Sequence, residues 1–339
     1  MGIYKSYEEK LLKAIWTNDG TKVKVILENL KKKNKTLELN EKNGYGSYYL
    51  LIASNRNNIS IAKILIEYAN NNNIILNLNK KDENNDSYPL LEATSNSNIE
   101  LVKLFIEYSY KYNIILELNA YNKYGVYPLL CAIEKDGNNI IHTFNENESF
   151  TFHTLKKINN TEIIKLLIEY ANNKNITLEL NEKDKNGYFP ILEATFKNNI
   201  EIVKILINYA SSHNIVLNVN EKSSLGNYPL LFAVINNNEE MVQLLIEYAN
   251  NNNLILDLNE RNQNNQYPLL QSITNNNMNI VNLLIKYAKN HNIKMKLNKK
   301  DITKYNSNIS TEILKLLQSY QEDKKKVKLF MYIYLYINK

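Results

Sequence analysis

Along most of this chain the hydrophobic positions follow two periods in turn. Around residue 200 they fall at helical spacing: Ile200, Val203, Leu206, Ile207 and Ala210 recur every three or four residues, while Glu201, Lys204 and Asn208 fall on the opposite side. Beyond Ala210 the period drops to two, with Ile215, Leu217 and Val219 alternating with polar neighbours, which predicts a short extended segment. Upstream, Pro190 opens a shorter apolar run that reaches Phe196. Proline suits the first turn of a helix because its φ is preset and its missing N–H would have no partner there. Asn198 and Asn199 follow where a left-handed residue would end that helix. The pattern therefore predicts a short helix A through about Phe196, a turn, a longer helix B from about Ile200, and an extended finger with turn residues such as Asp184–Gly187.

The same unit recurs. Tyr-Pro-Leu-Leu begins at Tyr88, Tyr127, Tyr228 and Tyr267, and a Phe-Pro-Ile-Leu variant begins at Phe189. The steps are 39 residues, except that the one from Tyr127 to Phe189 is 62, so one unit carries an insertion, about Asn138–Asn160. Tyr48-Tyr49-Leu50-Leu51 begins another unit 40 residues before Tyr88, making six full units. Self-similarity at such a period signals a stacked array in which each unit contacts mainly its neighbours. The organisation expected is an N-terminal capping repeat over 1–39, an array over 40–300 with the insertion at 138–160, and a C-terminal cap with a basic and aromatic tail over 301–339.

Composition narrows the classes. Hydrophobic residues make up 44% and charged residues 22%, a globular balance that argues against disorder. Only 8 glycines and 5 prolines punctuate 339 residues, so asparagine, next most tolerant of left-handed backbone, is expected to make the turns. The net charge of +6 comes from 41 basic residues scattered among 35 acidic ones, which gives no nucleic-acid footprint. Cys131 is the single cysteine, the first residues carry charges where a secretory signal needs an apolar run, and no apolar stretch approaches the ~20 residues that span a bilayer. A cytoplasmic or nuclear protein is expected.

The residues Leu180-Asn181-Glu182-Lys183-Asp184-Lys185-Asn186-Gly187-Tyr188-Phe189-Pro190-Ile191-Leu192-Glu193-Ala194, followed by Ile202-Val203-Lys204-Ile205-Leu206-Ile207, resemble the ankyrin repeat. The resemblance covers about residues 40–300 and implies an all-α fold, a helix-turn-helix solenoid with short extended fingers, capped at both ends. Three departures stand out. The family's Thr is Tyr or Phe here, so its hydroxyl cap is expected to give way to apolar packing. Its His is Leu, and the unit is 39 residues instead of 33, which predicts longer second helices or fingers. The resemblance also implies function: a non-enzymatic scaffold that binds a protein partner through its concave face, its finger loops and the 138–160 insertion. A monomer without cofactors is expected.

Few residues carry candidate chemistry. His213 and His291 lie 78 residues apart, two units, at equivalent positions that read as exposed loop and cannot share a metal. Cys131, His142 and His153 cluster around the insertion, but their spacing fits no short metal-ligand pattern, and Cys131 fills the slot that holds Glu92, Glu193, Phe232 and Gln271 in other units. No phosphate-binding glycine loop and no nucleophile elbow is present. An enzymatic or metal site at the insertion thus ranks below binding.

Two groups of apolar residues are the candidate partner contacts. Phe144, Phe150 and Phe152 lie in the insertion, which reads either as a tolerated surface loop or as a recognition element. Tyr124, Val126, Tyr188, Phe196, Leu225 and Ile235 occupy finger and helix A end positions of the middle units, near Lys123, Lys135, Lys185 and Lys197, an aromatic patch with a polar rim. The last full unit offers Gln263, Asn264, Gln266 and Thr274 instead. A peripheral membrane adaptor is the alternative, resting on Lys324-Lys325-Lys326-Val327-Lys328 before the apolar run Leu329–Ile337.

The register yields a direct test. Leu206→Ala should cost ~2–5 kcal/mol in denaturant unfolding, because a leucine between units leaves a cavity when truncated; a loss below ~0.5 kcal/mol would put that residue on the surface.

Overall fold

The computed structural model describes residues 2–141, 154–297, 310 and 312–313. The expected insertion aromatics Phe144, Phe150 and Phe152, the histidines His142 and His153, and the basic and apolar tail lie outside the described residues. The chain falls into two compact units, Met1–Glu179 and Leu180–Lys339.

The first unit opens with α1 (Gly2–Trp16) and α2 (Gly20–Lys32). Helix pairs α3 (Tyr49–Asn55) with α4 (Ile59–Asn71) and α5 (Pro89–Ser95) with α6 (Ile99–Lys111) follow. Then come α7 (Pro128–Glu134), strands β1 (Gly137–Ile141) and β2 (Thr154–Ile158), and α8 (Thr161–Asn173). The second unit holds α9 (Pro190–Phe196), α10 (Ile200–Ser212), α11 (Pro229–Ile235), α12 (Glu239–Asn251), α13 (Pro268–Thr274) and α14 (Met278–Asn290). Within each unit first helices pack on first helices, second on second, and each first helix on its own second, which is the alpha-solenoid arrangement. From α3 onward the first helices have 7 residues and the second 13. Leu206, with Val203 and Ala210, is fully buried between helices.

Asparagine sets the local geometry. Thirteen of the fifteen non-glycine residues with positive φ among the described residues are asparagines, including Asn198, Asn214, Asn237 and Asn253. All but Asn265, which lies in a finger, end helices where glycine would otherwise stand. The next residue but one or the adjacent asparagine then starts helix B. Asn58, Asn98, Asn199, Asn238 and Asn277 are N-caps whose side chains accept from the N–H three residues on. The same caps reach backwards, Asn58 Nδ2 to Asn18 Oδ1 at 3.0 Å and Asn238 Nδ2 to Asn198 Oδ1 at 2.7 Å.

Successive repeats within each compact unit are joined by a second set of asparagines, on the extended segments. Asn40 Nδ2 donates to Ile75 O at 2.7 Å while its Oδ1 accepts from Asn77 N at 2.9 Å. Asn79 treats Ile115 and Glu117 in the same way, and Asn119 treats Thr177 and Glu179. In the second unit Asn181, Asn220 and Asn259 repeat the pattern towards Val216 and Asn218, Ile255 and Asp257, and Lys294 and Lys296. Tyrosines of the second helices add a rung: Tyr68, Tyr108 and Tyr170 hydroxyls accept from the N–H of Leu37, Leu76 and Leu116, and Tyr248 and Tyr287 accept from Leu217 and Leu256.

The aromatic residue that opens each helix A is buried, and it makes no side-chain cap, as expected. Apolar packing is not its whole role, however. The Tyr88 hydroxyl donates to Glu117 O and Ala120 O at 2.9 and 2.7 Å, and that of Tyr228 to Glu260 O at 3.0 Å, so the ring spans the core and ties down the next finger.

The insertion begins and ends as a hairpin, with Gly137 opposite Ile158 and Ile141 opposite Thr154. Its base is pinned. Buried Asp136 accepts the Asn160 N–H at 2.9 Å, and Asn160 Nδ2 donates to Ala132 O and Ser97 Oγ, both at 3.0 Å. Asn160 thereby gives up the capping bond its counterparts make.

Asn253 has φ 54°. Asn253→Ala should lower thermal stability by ~1–2 kcal/mol, the cost of left-handed backbone for a Cβ residue, whereas Asn253→Gly should leave it unchanged or raised. Equal losses for the two would mean that backbone conformation is not what that position demands.

Candidate functional site

In the second unit the finger Asp184–Tyr188 is a closed turn. Gly187 N–H donates to Asp184 O at 3.0 Å, Asp184 N–H to Tyr188 O at 2.8 Å, and the Asp184 carboxylate accepts from Asn186 N and Tyr188 N at 2.9 and 2.7 Å. These bonds fix where Tyr188 leaves the finger. Phe196 is the last residue of α9, whose C-terminal carbonyls are held by the next repeat of the same unit: Asn236 Nδ2 donates to Thr195 O and Phe196 O at 2.9 and 3.3 Å. Phe232 lies in α11 and is buried.

The three rings form a cluster. Tyr188 and Phe196 meet edge to face with centroids 5.9 Å apart, Phe196 and Phe232 are tilted at 5.0 Å, and Tyr188 and Phe232 stack at 6.4 Å. Phe232 anchors the cluster from inside, Tyr188 is half-buried, and Phe196 is 45% exposed. Beneath it lies Glu193, a buried carboxylate 3.8 Å from Lys197 Nζ, and that ammonium stands 5.9 Å from the Phe196 ring. Burial, with Glu193 and Asp184 nearby, raises the Tyr188 pKa above its ordinary value, so the hydroxyl stays protonated at neutral pH.

The predicted residues divide between the two units. Tyr124 and Val126 belong to the first. Tyr124 is 58% exposed at its finger tip, and Val126 is half-buried, its N–H bound by Asn122 Oδ1 at 3.1 Å. Tyr188, Phe196, Leu225 and Ile235 belong to the second, where Leu225 is 51% exposed and Ile235 ends α11 half-buried. Of these, the structure brings Tyr188 and Phe196 into ring contact. Phe232 is a further member of the cluster, and its slot, four after Tyr228 and matching that of Glu193, is the sequence signal that marks it.

The lysine rim is less free than expected. Lys123 donates to Glu83 O and Asn84 O, Lys135 pairs with Glu134 at 3.4 Å, and Lys197 with Glu193. His213 and His291 lie in the turns that follow their second helices, half-buried rather than exposed. Each is the C-cap of its second helix, with its ring on a tyrosine of that helix, His213 on Tyr209 at 3.9 Å and His291 on Tyr287 at 4.3 Å. Cys131 is buried, and burial pushes its thiol up to about 12, the opposite of an activated nucleophile. Among the described residues no group of three or more His, Cys, Asp and Glu is placed to hold a metal ion, and no helix is long and apolar enough to cross a membrane.

Residues 213–301 match the family model for ankyrin repeats, in three copies. No curated protein matches the chain significantly. Among solved structures, the ankyrin repeat domain of Bcl-3, described as a unique member of the IkappaB protein family, is similar with a TM-score of 0.51 and 16% identity over 81% of this chain and 97% of that one. EF0377, an ankyrin repeat protein, is similar with a TM-score of 0.48 and 22% identity over 70% of this chain and 97% of that one. Residues 213–301 are thus ankyrin repeats by the family model, and the helix-pair fold of the described residues is similar to that of an ankyrin repeat domain.

Proposed function

We propose that this protein is a non-enzymatic scaffold that captures a protein partner, and that the Tyr188–Phe196–Phe232 cluster is an anchoring point of the second unit. Ankyrin repeats are in general protein–protein interaction modules. The observation that carries the reading is the Phe196 ring. Its backbone carbonyl is held at a helix end by Asn236 and the ring is backed by the buried Phe232, yet the residue is 45% exposed. An aromatic side chain pre-positioned on a rigid element loses little entropy on binding, which is what hot-spot residues exploit. Leu225 offers a second exposed apolar side chain from a neighbouring finger of the same unit. Tyr124 and Val126 are proposed as contacts of the first unit, with Phe144, Phe150 and Phe152 of the 138–160 insertion. A monomer in the cytoplasm or nucleus, with no cofactor and no nucleic acid, belongs to the same proposal.

The test uses the full chain and a partner captured from its own cells. Phe196→Ala combined with Leu225→Ala should weaken that partner by ~2 kcal/mol or more, with thermal unfolding close to the parent. Phe232→Ala serves as the contrast, and should destabilise the fold by ~3–5 kcal/mol as a buried aromatic truncation. A double variant that binds like the parent would remove this surface from recognition, and one that melts as early as Phe232→Ala would place Phe196 in the core.

A further inference from the structure

Two Asn-Gly dipeptides occur in the fingers, Asn43-Gly44 and Asn186-Gly187, and the fold treats them differently. Asn43 begins its finger and its carboxamide is engaged: Oδ1 accepts from Tyr45 N at 2.9 Å and Ser47 N at 3.3 Å, and Nδ2 is buried. Asn186 sits at a finger tip. Its side chain is exposed and makes no hydrogen bond among the described residues, while its backbone carbonyl accepts the Ser224 N–H of the next finger at 2.9 Å. The glycine after it is obligatory on two counts. Its φ is +79°, and a Cβ there would stand 2.9 Å from Ser224 N and 3.0 Å from Ser223 Cα.

We propose that Asn186 is a self-modification site, at which the carboxamide is lost spontaneously through a cyclic imide. The Gly187 amide nitrogen loses its proton and bonds to Asn186 Cγ, the Cγ–Nδ2 bond breaks, and ammonia leaves with that proton. Water then opens the five-membered imide at either carbonyl, giving aspartate or isoaspartate. No oxidant or reductant enters; water is the one co-reactant. Glycine allows this attack because it has no side chain to shield the nitrogen. The Gly187 N–H must first leave Asp184 O, which requires opening of one surface turn, among the least costly openings in a folded protein. At Asn43 two backbone donors hold the carboxamide oxygen, and its nitrogen has no path to solvent.

The product alters the finger that carries Tyr188. Isoaspartate adds a methylene to the main chain where Asn186 O meets Ser224 N, at a contact too tight for even a Cβ. Either product places a new carboxylate beside Tyr188. The modification therefore loosens the stacking of this finger on the next, whatever the partner of the array turns out to be.

The full-length protein, aged in neutral buffer and sampled over time, is digested and the two Asn-Gly peptides are followed by mass spectrometry, with isoaspartate marked by an isoaspartyl methyltransferase. The Asn186 peptide should exchange its amide for a carboxylate and take up methyl label while the Asn43 peptide stays intact; in denaturant both should convert alike. Asn186→Gln should abolish the label, and the aged parent should show faster hydrogen exchange at the Ser224 amide than that variant. Conversion of Asn43 as fast as Asn186 in the folded chain would overturn the proposal. So would an Asn186 that stays intact over the time in which the denatured chain converts.

Discussion

The structure depends on one hydrogen-bonding device, the asparagine carboxamide set against a stretch of backbone. A carboxamide carries the same donor and acceptor as a peptide group, so it can stand in for a neighbouring strand. Asn40, Asn79 and Asn119 in the first unit, and Asn181, Asn220 and Asn259 in the second, each give Nδ2 to a carbonyl and take an N–H two residues on, in the next extended segment. The segments thus need not come close enough to pair as a sheet, and the exposed β-branched residues Ile75, Ile115, Val216 and Ile255 follow from their extended backbone. Each bond contributes about 0.5–1.5 kcal/mol net, so the register comes from their repetition and from the buried leucines between them.

The same residue type also ends helix A in left-handed backbone and caps helix B. This is why so few glycines suffice, and why much of the fold was legible in the chain. Pro190, Phe196 and Ile200 marked element ends that the structure reproduces, because proline at a helix start and asparagine at its end act locally. The hidden parts depend on partners distant in sequence. The Tyr88 and Tyr228 hydroxyls find carbonyls 29 to 32 residues away, which no local pattern announces. The Asp136–Asn160 clamp closes an insertion whose two ends lie 24 residues apart.

The candidate site shows the same division. Phe196 was visible as an apolar residue at a helix end where other units place Asn55, Ser95 or Thr274. Its exposure could be guessed; its support could not. Phe232 beneath it, Glu193 with Lys197 beside it and Asn236 holding its carbonyl come from different turns and different repeats. Regular stacking brings them together and leaves one ring facing outward. The proposed anchor is thus a departure from the repeat, and the repeat supplies its rigidity.

The most direct test of this account is hydrogen exchange at the Asp257 amide in Asn220→Ala. Asn220 bridges Ile255 O and Asp257 N at 2.6 and 3.0 Å, and alanine removes both bonds without touching the core. Faster exchange at Asp257 and a loss of ~1–3 kcal/mol in unfolding free energy are expected. Unchanged exchange together with unchanged stability would contradict this account, and would leave apolar packing alone to hold the repeats in register.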